Sequence, residues 1–254
     1  MIELTDKRAL VVGVANDQSI AWGAAQALHR AGAELAITYL NEKAEPHVRP
    51  LAESVDAAII MLLDVTKDQH EEPLFEEIKK VWGGLDILVH SIAFAPGADL
   101  HGRVLDTSAR GFATAIDISV HSFIRLARRA ELLMTNGGAC LAMSFYGAEK
   151  VVENYNMMGP VKAALEAATR ELAYELGPRN ITVNTLSPGP MATRAASGIS
   201  NFDDLMNDAI ARSPMRRLAT IEDVGAAAAF LSSDIARNIT GKVLHVDAGR
   251  HIMS

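Results

Sequence analysis

Short, continuously apolar runs alternate with longer segments of helical period along this chain. The runs at 8–12, 34–39, 57–63, 86–90, 138–144, 181–187 and 242–246 are built mainly of Val, Ile, Leu and Ala. Most of their interiors lack the apolar–polar alternation of a strand with one wet face, as expected of strands covered on both faces. Between them, 20–31, 68–81, 113–134, 161–176 and 221–231 have helical length. Gly32, Gly83-Gly84, Gly137-Gly138 and Gly177-Pro178 stand where helices should stop. Strand–helix alternation with short connections predicts a parallel sheet with right-handed crossovers. The expectation is a single doubly wound Rossmann-type α/β domain over 1–254, about seven parallel strands with helices on both faces. The longest non-repetitive stretch, 188–213, follows the sixth strand. It reads either as a surface insertion or as a substrate-binding loop at about 190–213, because segments after a strand's C-terminal end lie on the ligand side of such a sheet.

Composition narrows the class. The chain has 24 Lys and Arg against 31 Asp and Glu, a net charge of −7, and 49% hydrophobic residues. An acidic balance argues against nucleic acid as a partner, since phosphate binding needs concentrated Lys and Arg. One cysteine excludes a disulfide framework and a multi-cysteine metal site, and the eight histidines show no paired-ligand spacing, so no metal is expected. No run approaches the ~20 apolar residues of a membrane span. The apolar start is too short for a signal core, so the expected compartment is the cytoplasm and the sequons at Asn180 and Asn238 read as coincidence. Arg128-Arg129 and Arg216-Arg217 read as solvated faces, and Cys140 as a small hydrophobe inside the fifth strand.

Three places carry candidate chemistry. The first strand runs into Gly13-Val14-Ala15-Asn16-Asp17-Gln18-Ser19-Ile20-Ala21-Trp22-Gly23. Glycine there lets the backbone turn towards a pyrophosphate at the next helix N-terminus, although a tight turn with no ligand reads the same. The second strand ends in Tyr39-Leu40-Asn41-Glu42-Lys43, with neither the acid that binds a ribose 2′-hydroxyl nor an Arg pair for a 2′-phosphate; the reading leans to NAD(H), with NADPH left open. Asp64-Val65 ends the third strand, where Asp64 either holds an adenine amino group or caps the following helix. The third place is Tyr155 with Lys162, seven residues later. On a continuous helix that spacing is within about 20° of two full turns, so Tyr155, Met158 and Lys162 would share one face. Pro160 complicates this, because proline is tolerated only in a first helical turn. Either the helix starts near Met157 with Tyr155 in its lead-in, or it kinks.

Taken together, these segments resemble the bacterial NADH-dependent enoyl-acyl-carrier-protein reductases, a divergent branch of the short-chain dehydrogenase/reductase superfamily. The resemblance spans essentially the whole chain. It rests on Gly13 to Gly23, on His90-Ser91-Ile92-Ala93-Phe94-Ala95-Pro96, and on Tyr155 with Lys162. Pro188-Gly189-Pro190, Ala195-Ala196-Ser197-Gly198 and Ile221-Glu222-Asp223-Val224-Gly225 complete it. It implies hydride transfer to the β-carbon of a trans-2-enoyl thioester, the last step of the type II fatty-acid elongation cycle, by a homotetramer that accepts its substrate from an acyl carrier protein.

Matched by position, Tyr155 and Lys162 would be catalytic, Tyr155 as a protonated donor to the thioester oxygen and Lys162 as holder of the nicotinamide ribose. Gly13, Ser19 and Ile20 would contact the pyrophosphate, Leu40 the adenosine ribose, and Asp64 and Val65 the adenine. Ser91 and Ile92 would lie by the nicotinamide, and Met191, Ala192 and Thr193, with Arg194 and Ala195, around its carboxamide side. Ala95, Phe145 and Tyr155 would bind substrate, and 194–208 would gate the acyl chain; Ile199, Phe202, Leu205 and Met206 suit such a chain, although a plain amphipathic packing helix fits them equally. Arg194, Arg216 and Arg217 would attract the acidic carrier. One departure stands out: many relatives carry a second tyrosine ten positions before the first, where this chain has Phe145 with Tyr146 displaced by one. The competing readings are a carbonyl-reducing short-chain dehydrogenase, which Met158 at four residues before Lys162 disfavours, and a non-catalytic Rossmann cofactor sensor.

Overall fold

A computed structural model describes residues 2–191 and 202–253. Seven strands form one parallel sheet: β1 (Arg8–Val12), β2 (Glu34–Tyr39), β3 (Ile59–Leu62), β4 (Ile87–His90), β5 (Gly138–Met143), β6 (Ile181–Pro188) and β7 (Val243–Val246). Their spatial order is β3-β2-β1-β4-β5-β6-β7, and every pairing is parallel. The order reverses between β1 and β4, which opens a crevice at the C-terminal ends of those strands.

The continuous apolar runs have a direct structural meaning. Leu10, Val12, Leu88, Cys140 and Ala142 belong to one core, while Ala9, Val11, Ile87, Val89, Leu141 and Met143 belong to the other. Successive residues point to opposite faces and both faces are buried. Helices α1 (Ile20–Arg30), α2 (Glu45–Glu53) and α9 (Ile221–Leu231) cover one face; α3 (Asp68–Trp82), α5 (Ala109–Ile116), α6 (Ser122–Leu133) and α7 (Met158–Leu176) cover the other. A short α4 (Gly97–Leu100) and α8 (Phe202–Arg212) lie in the connections after β4 and β6.

Several boundaries differ from expectation. The third strand is shorter than 57–63. Helix α2 was not expected: Pro46 stands in its first turn, where the missing N–H costs nothing, although Pro50 lies within it. The helix expected at 113–134 begins earlier, where the Ser108 hydroxyl accepts from Gly111 N at 2.9 Å. A π-helical turn, Asp117–His121, separates α5 from α6. It presents Ser119, whose hydroxyl bridges both backbone groups of Phe94, while Ser122, the first residue of α6, meets buried His90 at 2.7 Å. The wide turn therefore fastens the segment leaving β4. Arg129 is not a solvated residue: with Arg125 it clamps buried Glu71, each at 3.0 Å. Arg128 is exposed as expected, and so are Arg216 and Arg217.

Candidate active site

A cavity of about 310 Å³ opens at the crevice between β1 and β4. It is lined by Ile20, Ser91, Ile92, Ala95, Phe145, Tyr155, Lys162 and Met191, so eight separately expected residues meet in one place. Leu40, Asp64 and Val65 stand further along the same edge, at the ends of β2 and β3. Leu40 is exposed and Val65 is buried. Ala192, Thr193, Arg194, Ala195 and Ile199 lie outside the described residues, as does the side chain of Phe202.

The turn after β1 is fixed by glycine. Gly13 has φ +107°, and a β-carbon there would stand 2.1 Å from the carbonyl oxygen of Ser91, far inside contact distance. Its glycine thus serves the close approach of the β1 and β4 exits as well as the turn itself. Gly23, at the far end of the same motif, serves packing instead. A β-carbon there would meet Ile221 O at 2.2 Å, and one at Gly225 would meet Gly23 O at 2.3 Å, so the pair sets the close crossing of α1 and α9. Ser19 precedes α1 without capping it: its hydroxyl donates to Asn16 O at 2.7 Å. No bond from the Ser19 side chain caps α1, although Trp22 N donates to Ser19 O at 2.9 Å; a helix N-terminus at the switch point suits a phosphate.

Asp64 caps a turn rather than the helix. Its Oδ1 accepts from Thr66 N at 3.0 Å and Thr66 Oγ1 at 2.7 Å, while α3 is preceded by Lys67. At the end of β2, Asn41 Oδ1 likewise accepts from Lys43 N and Ala44 N. Both side chains hold the turns that leave β2 and β3 at this edge.

Tyr155 does not lie on a helix. Helix α7 starts at Met158, so Pro160 falls in its first turn, and Tyr155 sits in a lead-in flanked by Asn154 at φ +62° and Asn156 at φ +48°. Asparagine tolerates that left-handed conformation better than most residues. The Asn156 amide also donates to Leu100 O at 2.9 Å, tying the lead-in to α4. Helical periodicity therefore does not align Tyr155 with Lys162; a turn brings both to the cavity, with Met158 between them on its wall. The Tyr155 ring packs on Phe145, centroids 4.8 Å apart. Phe145 lines the cavity, whereas Tyr146 turns into the protein, where it is buried.

Burial sets the protonation states. Burial and the Glu166 carboxylate both raise the Tyr155 phenol above its ordinary value, so it is a hydrogen-bond donor at neutral pH. Burial lowers the Lys162 ammonium to about 8, opposed by Glu166. Lys162 Nζ donates to Met143 O at 2.6 Å, and the Ser144 hydroxyl donates to Glu166 Oε1 at 2.5 Å. Glu166 lies one helical turn beyond Lys162 on α7, a spacing that the sequence itself carries. His90, fully buried, is pushed down to about 3 by burial and by Lys162. The Ser122 hydroxyl already donates to Ile118 O at 2.7 Å, so His90 Nε2 carries the hydrogen towards Ser122 and the ring is a neutral strut.

Fold and site together define a class: doubly wound α/β proteins of dinucleotide-binding type with a phenol and an ammonium at the switch point. The sequence profile of the family described as enoyl-(acyl carrier protein) reductase matches residues 13–251. The chain belongs to that family. It is 47% identical over 256 residues to an NADH-dependent enoyl-[acyl-carrier-protein] reductase of Nostoc sp., covering 100% of this chain and 99% of that one. Two solved structures superpose closely. The Bacillus cereus enoyl-acyl carrier protein reductase, held with NADP+ and an indole naphthyridinone, gives a TM-score of 0.97 at 44% identity, with 100% of both chains covered. The Anaplasma phagocytophilum reductase, in complex with NAD, gives 0.94 at 46% identity, covering 98% of this chain and 95% of that one.

Proposed function

We propose that this protein is an NADH-dependent enoyl-[acyl-carrier-protein] reductase, reducing the double bond of trans-2-enoyl thioesters at the end of the fatty-acid elongation cycle. The observation that carries this reading is the pairing of Tyr155 and Lys162 on one cavity at the switch point, with the phenol kept protonated. When bound, the reduced nicotinamide supplies the hydride. The chain supplies the rest. Charge that develops on the thioester oxygen is met by the Tyr155 hydroxyl, a donor already in place before the reaction. Lys162, an ammonium below about pH 8, holds the nicotinamide ribose and adds positive potential. Phe145, Ile92, Ala95 and Met158 form apolar walls that exclude water from the reacting carbons. Gly13, Ser19 and Ile20 with the α1 N-terminus hold the pyrophosphate, Leu40, Asp64 and Val65 the adenosine, and Ser91 and Met191 the nicotinamide.

One domain carries both cofactor and substrate, with the segment after β6 bordering the acyl chain. The carrier-bound substrate, a homotetramer and a cytoplasmic location complete the proposal. The test is NADH and NADPH oxidation, followed in parallel by absorbance, with enoyl thioesters of several chain lengths. Oxidation of NADH in preference to NADPH is expected. No oxidation of either cofactor at any chain length would overturn the reading.

A further inference from the structure

The C-terminal turn that follows β7 holds both ends of the segment after β6. At the entrance, Gly189 N donates to Val246 O at 3.0 Å, and a β-carbon at Gly189 would stand 3.2 Å from the β-carbon of Asp247. At the exit, Met215 N donates to Ala248 O at 3.3 Å, and a β-carbon at Gly249 would stand 2.9 Å from Pro214. The turn is itself densely hydrogen-bonded. Buried Asp247 accepts from Gly249 N at 3.0 Å and from His251 N at 2.7 Å, and its carboxylate bonds His251 Nδ1 at 3.0 Å. Ala248 and Gly249 are both left-handed.

One side chain reaches from this turn into α8. Arg250 is 8% exposed, and its Nη2 meets Asp208 Oδ2 at 3.1 Å. Its guanidinium carbon lies 5.7 Å from the centre of the Tyr146 ring, which packs edge-on against Phe145 at 4.8 Å. Arg212, one turn along α8, takes the other Asp208 oxygen at 2.7 Å. A nearly buried guanidinium loses much more hydration than a surface one, so its ion pair and ring contact must be specific to be tolerated at all. The contacts join three elements that the mechanism above does not connect: α8, the C-terminal turn and the aromatic wall of the cavity.

We infer that Arg250 is a positioning residue for acyl-chain recognition, seating α8 through Asp208 against the aromatic pair Tyr146–Phe145. This rests on the reading that the segment after β6 borders the acyl chain. Arg250 touches no reacting atom, and its effect is on thioester binding rather than on hydride transfer or cofactor affinity.

The test uses the full-length protein with Arg250→Met, Asp208→Asn and the double variant, in two independent measurements. Hydrogen exchange of α8 amides reads the clamp whether or not the protein turns over a thioester. Exchange should quicken about tenfold in either single variant, with no further gain in the double. Steady-state kinetics should then show KM for a long-chain enoyl thioester raised about five- to tenfold, with the NADH dissociation constant held within about twofold. Arg250→Lys, which keeps the charge, should recover part of the KM change. Unaltered α8 exchange would overturn the clamp. Quickened exchange with an unmoved KM would overturn its role in recognition. An equal loss of kcat, NADH affinity and melting temperature in every variant would mark Arg250 as merely structural. Asp208→Asn, on a more exposed helix, keeps the test open if Arg250→Met fails to fold. A wild-type protein inactive on every thioester would instead defeat the proposed function, leaving the exchange result to judge the clamp by itself.

Discussion

Gly147 stands where a side chain would collide with Tyr155: a β-carbon there would lie 2.6 Å from the ring's Cδ1 and 2.9 Å from its Cε1, and 3.2 Å from Phe145. The absence of a methyl group at one position thus sets where the phenol rests. Gly147→Ala should push the ring and its hydroxyl by several tenths of an ångström. Turnover should fall about tenfold, because a full ~1 Å misplacement of a reacting group costs about 10²-fold and this shift is a fraction of it. Steady-state kcat with unaltered NADH binding checks it; wild-type turnover in Gly147→Ala would show that the ring adapts.

Tyr155→Phe keeps the ring that packs on Phe145 and deletes only the hydroxyl. Removing one preorganised donor to a developing oxyanion costs about 10²–10³ in kcat. The expected result is a loss of that size, with melting temperature and NADH affinity close to wild type. Stopped-flow hydride transfer separates this outcome from a defect in binding.

Lys162 gives a pH dependence with a defined sign. Burial holds its ammonium at about 8, below the ordinary lysine value, so NADH affinity should fall as pH rises through that value. Glu166 raises the Lys162 value, and Glu166→Gln should move the fall to lower pH. Stability runs the other way. Between about pH 8 and the ordinary lysine value of ~10.4 the unfolded chain binds more protons than the folded one, so this group's contribution to stability rises with pH across that window. Fluorescence titration of NADH across a pH series, for wild type and Glu166→Gln, checks the affinity sign, and urea unfolding across the same series checks the stability sign. A flat affinity profile would exclude Lys162 as the cofactor's charged partner.

The crossing of α1 and α9 depends on two glycines facing each other's backbone. Gly225→Ala would place a methyl 2.3 Å from Gly23 O, with carbonyl rather than flexible side chain in the way. The helices must separate, and a loss of about 1–3 kcal/mol is expected for overpacking of this kind. Thermal or urea unfolding measures it. NADH binding below the melting transition should persist.

How much of this was legible beforehand follows from what each element is made of. Seven strands stand out because a sheet buried on both faces demands unbroken runs such as Ala9-Leu10-Val11-Val12 and Leu141-Ala142-Met143. Helix α2 carries a weak sequence signal because it holds two prolines, Pro46 in a first turn that accepts it and Pro50 in its interior. The residues of the cavity, Ile92, Tyr155 and Lys162 among them, follow from the family resemblance matched position by position rather than from spacing alone. Their geometry was legible only in part: Pro160 already allows a helix that starts near Met157 with Tyr155 in its lead-in, as observed. The left-handed Asn154 and Asn156, which lift Tyr155 off the helix, act through backbone torsion, and the Lys162 bond to Met143 O involves a main-chain atom common to every residue type. Arg250 carried no periodic or motif signal; its partners lie on α8 and beside β5, distant along the chain.

Cys140 is the sole cysteine of the sequence. It lies fully buried in β5, its thiol pushed up to about 12 by burial. Alkylating reagents act through thiolate and need access, so they should pass this protein by. The wild-type chain is in effect a blank for thiol chemistry. A cysteine placed at exposed Leu105 or Val151 would be the one reactive handle, ready for a fluorophore or spin label without first removing any native residue.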